Sequence, residues 1–347
     1  LGPAPDAVTH TVRDVSDDGK TVIGDFVTPR SEYRSFHWSH DAGLHVLALP
    51  KGFRRSYAIC LSDKGILGRF YQSIHEASVG RWGSRFERAQ IDPFSYKYEY
   101  IAATDIATEN KDQSVPHIVG YRRENTQVTR PFVFDGTQFV PLAATQPYEH
   151  AMVRDISANG EVITGMAWDG RRTARSYESK QMRVVQWKQG AVRFLTGFGD
   201  GPFKWYVTGA SDDGKVVAGY RWRQGKPHNS DQALAFRWEN GKVQMIGELP
   251  GGRPVSIVED ISSDGRVIVG FSETSRRKTA FVWDAAHGMR SLKGLLMQYR
   301  VPTADWRLET ASTVSADGRH IAGLGIDPHG NPQPFLATLP PEAFASE

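Results

Sequence analysis

Arginine and aromatic side chains recur together along this chain, and they are the residue types best suited to binding chemistry. The planar guanidinium group matches carboxylate, sulfate and phosphate groups, and aromatic rings offer faces on which sugars or bases stack. We therefore predict that these residues bind an anionic ligand, namely an acidic glycan, a lipid head group or an acidic partner protein. The predicted ligand-binding residues are Arg54, Arg55, Arg122, Arg123, Arg171, Arg172, Trp205, Tyr206, Arg221, Trp222, Arg276 and Arg277.

Tyr148 and His150 suggest a second chemistry, because they lie two residues apart beside Glu149. A tyrosine and a histidine near guanidinium groups can abstract the proton next to a uronate carboxylate, as polysaccharide lyases do. Tyr148 and His150 are therefore the candidate catalytic residues if the protein is a lyase-type enzyme on acidic polysaccharides. A third alternative is a structural or immunity-type module that caps one protein partner and buries a large area.

Seven copies of one short pattern organise these residues. The clearest copy reads Val258-Glu-Asp-Ile-Ser-Ser-Asp-Gly-Arg-Val-Ile-Val-Gly270. Its Ser-x-Asp-Gly segment predicts a tight turn between two strands, and a repeat of roughly fifty residues with four such strands is typical of a propeller blade. We predict an all-β fold, a seven-bladed β-propeller with four-stranded antiparallel blades, formed by residues 1–347 as a single domain. The blades are predicted to start near residues 12, 58, 104, 153, 207, 258 and 312.

Aromatic pairs spaced two residues apart mark the third strand of most repeats, since that spacing places both rings on one face. Trp238 and Trp283 belong to such pairs and are predicted to be buried between blades. The second repeat has no clear pair, which predicts that it is the weakest blade. The last repeat has no fourth strand, and the segment before Val12 is a candidate to supply it and close the ring.

The repeat resembles the extracellular HAF repeat, and its closest copy runs from Ala235-Phe-Arg-Trp238 through Leu249-Pro-Gly-Gly252 to Gly270. The turn is also similar to the Ser-Pro-Asp-Gly turn of WD40 and TolB-type propellers. The resemblance implies a propeller fold and a bacterial protein that is extracellular, periplasmic or on the cell surface. It implies no catalytic motif, so it names no activity.

Propeller topology sorts the connections into two faces. The turns between the first and second strands lie on one rim and are acidic or mixed in charge, as at Asp17-Asp18 and Asp212-Asp213. The second-to-third and fourth-to-first connections lie on the opposite face, and they hold the arginines and aromatic rings named above. We therefore expect a basic, aromatic face around one central mouth, where like charges focus the electrostatic field.

The remaining composition limits the other classes of function. A net charge of +3 is too small to indicate nucleic acid binding, and no transmembrane segment is predicted. Asp14, Asp105, Asp155 and Asp260 recur at one inner-strand position, but the ring is incomplete, so we expect each to accept backbone hydrogen bonds near its own turn. We predict no metal site, no cofactor and a monomer. Cys60 is expected to be buried, and a first residue other than Met suggests that a signal peptide was removed.

Overall fold

Seven antiparallel sheets form a ring around a central channel, which confirms the predicted seven-bladed β-propeller. The structure is a computed structural model. It describes residues 1–2, 4, 6–62, 65–73, 76–83, 89–96, 101–107, 118–124, 128–135, 138–169, 182–199, 201–223, 233–274, 277–303 and 305–345. Of these, it describes the backbone alone at 73, 76–77, 89–96, 101–103, 106 and 123–124.

Blades 1 to 4 each contain four consecutive strands, with the first strand innermost. The strands of blades 1 and 2 are β1 (Thr9–Val15), β2 (Thr21–Val27), β3 (Tyr33–Ser39), β4 (Gly43–Val46), β5 (Arg55–Ser62), β6 (Gly65–Ser73), β7 (Glu76–Trp82) and β8 (Ala89–Tyr96). Those of blades 3 and 4 are β9 (Ile101–Ile106), β10 (Ile118–Glu124), β11 (Val128–Phe134), β12 (Phe139–Pro141), β13 (His150–Ile156), β14 (Val162–Trp168), β15 (Met182–Lys188) and β16 (Ala191–Phe194).

Blades 5 to 7 continue the same order and carry the helices of the described chain. Their strands are β17 (Phe203–Ala210), β18 (Val216–Arg223), β19 (Leu234–Glu239), β20 (Lys242–Met245), β21 (Ser256–Ile261), β22 (Ile268–Thr274), β23 (Arg277–Asp284), β24 (Gly288–Ser291), β25 (Arg307–Val314), β26 (His320–Ile326) and β27 (Pro332–Thr338). A short helix, α1 (Leu292–Gln298), follows blade 6, and a 3-10 turn, Pro341–Phe344, follows blade 7. Among the described residues, no helix is both long and apolar enough to cross a bilayer.

The ring closes by side-chain packing between blades 1 and 7. Blade 7 has three strands, and no described residue before Thr9 lies in a strand, so the expected strand exchange does not occur. The N-terminal segment instead lies beside the outer strand of blade 7, where the Leu1 nitrogen donates to the Pro334 carbonyl oxygen at 3.0 Å. Val12 and Val15 of β1 pack with Ala322 of β26 to complete the closure.

The Ser-x-Asp-Gly turns are held by a repeated set of local hydrogen bonds. In blade 6, Ser262 Oγ donates to Asp264 Oδ1 at 2.7 Å and accepts from the Val267 nitrogen at 3.0 Å. The same carboxylate accepts from the Arg266 nitrogen, so it compensates backbone donors within the turn. Gly265 has φ +72°, and a Cβ there would lie 2.8 Å from the Val216 Cβ of blade 5. Glycine is therefore favoured at this position both by the left-handed backbone and by the close contact between blades.

A β-bulge interrupts the inner strand of every blade at the same register. In blade 5, Val207 pairs with Gly219 and Gly209 pairs with Ala218, so Thr208 is the extra residue. The bulge brings the Tyr206 carbonyl oxygen against Gly219, where a Cβ would overlap it. This contact explains why a glycine recurs on the second strand of the repeat. Bulges also place an additional residue of each inner strand toward the channel.

Tryptophans fill the spaces between blades, as predicted for Trp238 and Trp283, which are 2% and 3% exposed. Trp238 Nε1 also donates to the Thr196 carbonyl oxygen of the preceding connection at 2.7 Å. The prediction that blade 2 lacks aromatic filling is wrong. Trp82 on β7 is fully buried, donates to the Ala48 carbonyl oxygen at 2.8 Å, and packs at 4.6 Å between ring centroids from Phe70 on β6. The second ring comes from a different strand of the blade, so a search for pairs spaced by two missed it.

Candidate functional site

Two faces follow from the strand order. We call the rim that carries the Ser-x-Asp-Gly turns (Ser16–Gly19, Ser211–Gly214, Ser262–Gly265 and Ser315–Gly318) and the Ser-x-Asn-Gly turn (Ser157–Gly160) the turn rim. Antiparallel alternation places the second-to-third and fourth-to-first connections at the opposite end of the strands, which we call the loop face. The central channel joins the two faces and is lined by the inner strands β1, β5, β9, β13, β17, β21 and β25.

Near the turn rim, the channel widens into a cavity of about 790 Å³ that is lined by Asp14, Asp105, Asp155 and Asp260. Each carboxylate accepts a backbone N–H from the next blade. The donors are Leu61 N to Asp14 at 2.7 Å, Ile156 N to Asp105 at 3.1 Å, Ala210 N to Asp155, and Val314 N to Asp260 at 2.9 Å. These aspartates therefore connect neighbouring inner strands, whereas the sequence suggested hydrogen bonds to backbone near their own turns.

Burial of these aspartates changes their acidity. It raises the pKa of Asp14 and of Asp260 to about 7. Burial also raises the pKa of Asp155 well above its ordinary value, and the neighbouring charge of Asp105 raises it further. Within the described part of the chain, no three His, Cys, Asp or Glu side chains are grouped so that they could hold a metal ion.

The bulged residues form a second set of equivalent positions on the inner strands, which we call the bulge ring. Its members are Arg13, Ile59, Thr104, Arg154, Thr208, Glu259 and Ser312. The sequence analysis singled out the aspartate that follows this position and missed the position itself. The sequence feature that indicates this position is a charged residue before the aspartate, as in Arg13-Asp14, Arg154-Asp155 and Glu259-Asp260.

Charged members of the bulge ring have partners on neighbouring strands. The Arg13 guanidinium donates through Nε to Asp25 Oδ2 at 2.8 Å, and Asp25 is fixed by Ser35 and by the Ala58 nitrogen of blade 2. The Arg154 guanidinium lies over the Tyr206 ring of blade 5, at 4.8 Å from Cζ to the ring centroid.

Glu259 is the acidic member of the ring. Burial raises the pKa of Glu259 to about 7, although the positive charges of Lys278, Arg154 and Arg13 act in the opposite direction. A carboxylate with that pKa exchanges a proton readily near neutral pH.

Arg55 and Arg221, two of the predicted ligand-binding residues, stack on aromatic rings. Arg55 lies over Tyr33 at 5.5 Å, and Tyr33 is 5.1 Å from Tyr57 between ring centroids. Arg221 on β18 lies over Phe203 at 4.2 Å and over Trp205 at 5.6 Å. Stacking uses the face of a guanidinium group and leaves its N–H edge in the plane available for hydrogen bonds.

The other predicted ligand-binding residues that the structure describes have different environments. Arg54 and Arg277 are exposed, and Arg122 is half-buried on β10. Tyr206 lies beneath Arg154, and Trp222 is 4% exposed and packs with Tyr220 and Ala233 in the core of blade 5. The structure describes only the backbone of Arg123, and Arg171, Arg172 and Arg276 lie outside the described residues.

Tyr148 and His150 have separate neighbours. The Tyr148 ring packs at 5.4 Å from Phe194 between centroids. His150 is 2% exposed, stacks on Trp168 with an interplanar angle of 9°, and accepts a hydrogen bond through Nδ1 from the Thr129 nitrogen of blade 3 at 3.2 Å. The His150 ring thus has packing and hydrogen-bonding partners that join blade 3 to blade 4.

Comparisons with known proteins support the fold. No protein-family model matches the sequence, and no curated protein is similar enough in sequence to count as a relative. The β-propeller domain of the Trilobed protease from Pyrococcus furiosus, which has an open velcro topology, has a TM-score of 0.57 at 11% identity, with 95% of each chain covered. An oligogalacturonate lyase in complex with manganese has a TM-score of 0.60 at 13% identity, with 96% of this chain and 89% of that chain covered.

TolB from Acinetobacter baumannii is a further structural neighbour, with a TM-score of 0.50 at 13% identity. The match covers 78% of this chain and 62% of TolB, so the chain spans about three fifths of the length of that protein. At these identities the likeness shows the propeller fold and leaves function to be argued from the residues.

Proposed function

We propose that this chain is a binding module that takes an acidic carbohydrate on its loop face and at the channel mouth. The observation that carries the proposal is the repeated stacking of arginine on aromatic rings, seen for Arg55 on Tyr33, Arg154 on Tyr206 and Arg221 on Phe203. Such pairs combine a donor edge for carboxylates with an aromatic surface for sugar rings.

The charge of the turn rim also favours a ligand that binds on the loop face. Its carboxylates are held by the turns themselves, and hydrogen bonds from Lys215 lower the pKa of Asp213 to about 2. A rim of ionised carboxylates repels an acidic polymer, whereas arginines on the opposite face attract it. One structural neighbour is an oligogalacturonate lyase, and oligogalacturonate is an acidic carbohydrate of the class proposed here.

The repeat pattern supports a second part of the proposal, that the chain is of the HAF type and acts outside the cell, in the periplasm or on the cell surface. Ser262-Ser-Asp-Gly265 and its counterparts carry the resemblance to that family. Cell fractionation of the source bacterium with an antibody against the chain tests the location. Recovery from the cytoplasm alone would contradict it.

Binding of polygalacturonate, with neutral dextran as the control polymer, tests the ligand class. We expect affinity for polygalacturonate to fall steeply with added salt, because exposed charges are screened over about 8–10 Å at physiological ionic strength. Arg55→Glu and Arg277→Glu on the loop face should weaken binding. Lys20→Glu and Lys215→Glu on the turn rim are the matched controls, because both lysines are exposed and pair with turn aspartates. Equal losses from the two faces, or equal binding of dextran, would contradict the proposal.

Glu259 supports a second candidate function, an enzyme that acts on an acidic polysaccharide. Its carboxylate has a pKa near 7 and is surrounded by the charges of Arg13, Arg154 and Lys278. In a β-elimination, the arginines would hold the substrate carboxylate while Glu259 takes the proton next to it, and the electron pair of that C–H bond would expel the sugar at the β-carbon. Release of unsaturated uronate that Glu259→Gln abolishes, with polymer binding retained, would establish this activity. Absence of turnover in the unmodified protein would exclude it for the polymer tested.

A further inference from the structure

A second cavity, of about 350 Å³, lies between blade 5 and the connection from β16 to β17. The connection lines it with Gly197, Gly199 and Gly201, and blade 5 lines it with Phe203, Trp205 and Arg221. A Cβ at Gly199 would meet no atom within 4 Å, so the absence of side chains there leaves open space beside the arginine. This cavity is separate from the central channel, and its volume is in the range of small-molecule sites.

Two N–H donors at this cavity have no hydrogen-bond partner among the described residues. They are Nε of Arg221 and Nε1 of Trp205, and both atoms are buried. Trp205 is 6% exposed, whereas Trp238 of the same blade donates its indole N–H to Thr196. Burying a donor without a partner is unfavourable, so such a pair of donors in one cavity indicates that an acceptor belongs there.

Among the described residues that line the cavity, Arg221 is the one that carries a positive charge. Burial lowers the pKa of Arg221, so an anion beside the guanidinium group would offset part of the cost of burying its charge. One guanidinium group and one indole N–H match the two oxygens of a carboxylate better than a doubly charged phosphate. The opposite wall is formed by Val243 and Met245 of β20, which are apolar and suit a hydrocarbon or aromatic group attached to that carboxylate.

We propose that this cavity binds a monocarboxylate with an apolar body, its oxygens accepting from Arg221 and Trp205 and its body lying against Val243 and Met245. The carboxylate can belong to a small molecule or to the C-terminus of a peptide with an apolar last residue. The proposal rests on the proposed function only in that Arg221 lies on the same face of the propeller.

Titration of the isotope-labelled full chain with phenylacetate tests the proposal, with the indole N–H signals of the nine tryptophans as the readout. The signal absent from Trp205→Phe identifies Trp205. We expect that signal to move downfield as its N–H acquires an acceptor. The neutral isostere phenylacetamide should bind roughly 10- to 100-fold more weakly, because it loses a hydrogen bond between charged groups. A peptide ending in phenylalanine, compared with its C-terminal amide, distinguishes a peptide from a small molecule as the source of the carboxylate.

Arg221→Gln should weaken phenylacetate binding by a similar factor, and Arg223→Gln, an exposed change on the same strand, should not. If Trp205→Phe does not fold, the signal shifted by Arg221→Gln identifies Trp205 instead. An unmoved Trp205 signal, or equal binding of phenylacetamide, would overturn the proposal. Phenylacetate binding that is unaffected by Arg55→Glu, a change that should weaken polygalacturonate binding, would separate this site from the channel mouth.

Discussion

The guanidinium group of Arg154 in blade 4 lies over the ring of Tyr206 in blade 5, with 4.8 Å between Cζ and the ring centroid. Arg154 is the bulged residue of its inner strand, and Tyr206 precedes the bulge of the next one. The contact therefore places a cation and an aromatic ring together at the channel wall, across a boundary between blades. Thr208 and Ser312, at the same position of blades 5 and 7, cannot form such a pair.

Arg154→Met should weaken binding of polygalacturonate by roughly tenfold, since a hydrogen bond to a charged group contributes about 1.5–3 kcal/mol. The dependence of the binding constant on salt should also become less steep, because one fewer cation is neutralised on binding. Arg193→Met is the control, because Arg193 is exposed on the outer strand β16 of the same blade. Isothermal titration at several salt concentrations measures both quantities. An unchanged salt dependence for Arg154→Met would place the ligand away from the channel mouth.

Much of the fold could be predicted because the residues that form each turn lie close together in the sequence. Ser262, Asp264 and Gly265 build a turn from atoms within six residues of one another. The bulge ring could not be predicted in this way. Strict alternation assigns one side-chain direction to each inner-strand residue, but the bulge breaks that alternation, since the buried Val12 and Val15 of β1 are separated by two residues. From the sequence alone, Arg13, Arg154 and Glu259 therefore cannot be distinguished from other strand residues, because their direction depends on the register of the strand pairing.

The parts of the site that depend on contacts between blades also could not be predicted from the sequence. His150 and Tyr148 are neighbours in the chain, and their spacing suggested a shared chemistry. The hydrogen-bond donor to His150 Nδ1 is the Thr129 nitrogen, which lies 21 residues earlier and in another blade. In blade 2, the ring that completes the packing of Trp82 is Phe70, which comes from the adjacent strand.

Gly265→Ala should lower the free energy of unfolding more than Gly43→Ala does. Both glycines have φ +72°, and each substitution should cost roughly 1–2 kcal/mol for the left-handed backbone. Only at Gly265 does the new methyl group meet another blade, 2.8 Å from the Val216 Cβ, which should add roughly 1–3 kcal/mol of overpacking. Urea denaturation of the two variants measures the difference. Equal losses would show that blades 5 and 6 can separate slightly at no cost.

Trp82→Ala should destabilise the protein as much as Trp238→Ala, by roughly 3–5 kcal/mol for an emptied aromatic site. Both rings are buried and both indole N–H groups donate to a carbonyl oxygen of the preceding connection. Thermal and chemical denaturation of the two variants provides the comparison. A decrease in the free energy of unfolding below about 1 kcal/mol for Trp82→Ala alone would support the prediction that blade 2 is the weakest blade.

His150→Ala should lower stability, whereas Tyr148→Phe should have little effect. The alanine leaves the buried Thr129 N–H without its acceptor, which costs about 1–3 kcal/mol, and it also removes the stack on Trp168. Phenylalanine at 148 keeps the ring contact with Phe194. Melting temperatures test both expectations. Loss of a lyase activity in both variants, without loss of stability, would instead support an acid–base role for the pair.

The stability of the unmodified protein relative to Glu259→Gln should decrease as pH rises from about 4.5 to about 7. The pKa of Glu259 is raised to about 7 by burial, whereas a glutamate in the unfolded chain titrates near 4.5. Between these values the folded state binds more protons than the unfolded state, so its stability falls with pH, by up to about 1.4 kcal/mol per pH unit for one group. Above pH 7 both states are ionised and the difference between the two proteins should become constant. Urea denaturation across this pH range measures it, and a relative stability that rises with pH would mean that Arg13, Arg154 and Lys278 outweigh the burial of the carboxylate.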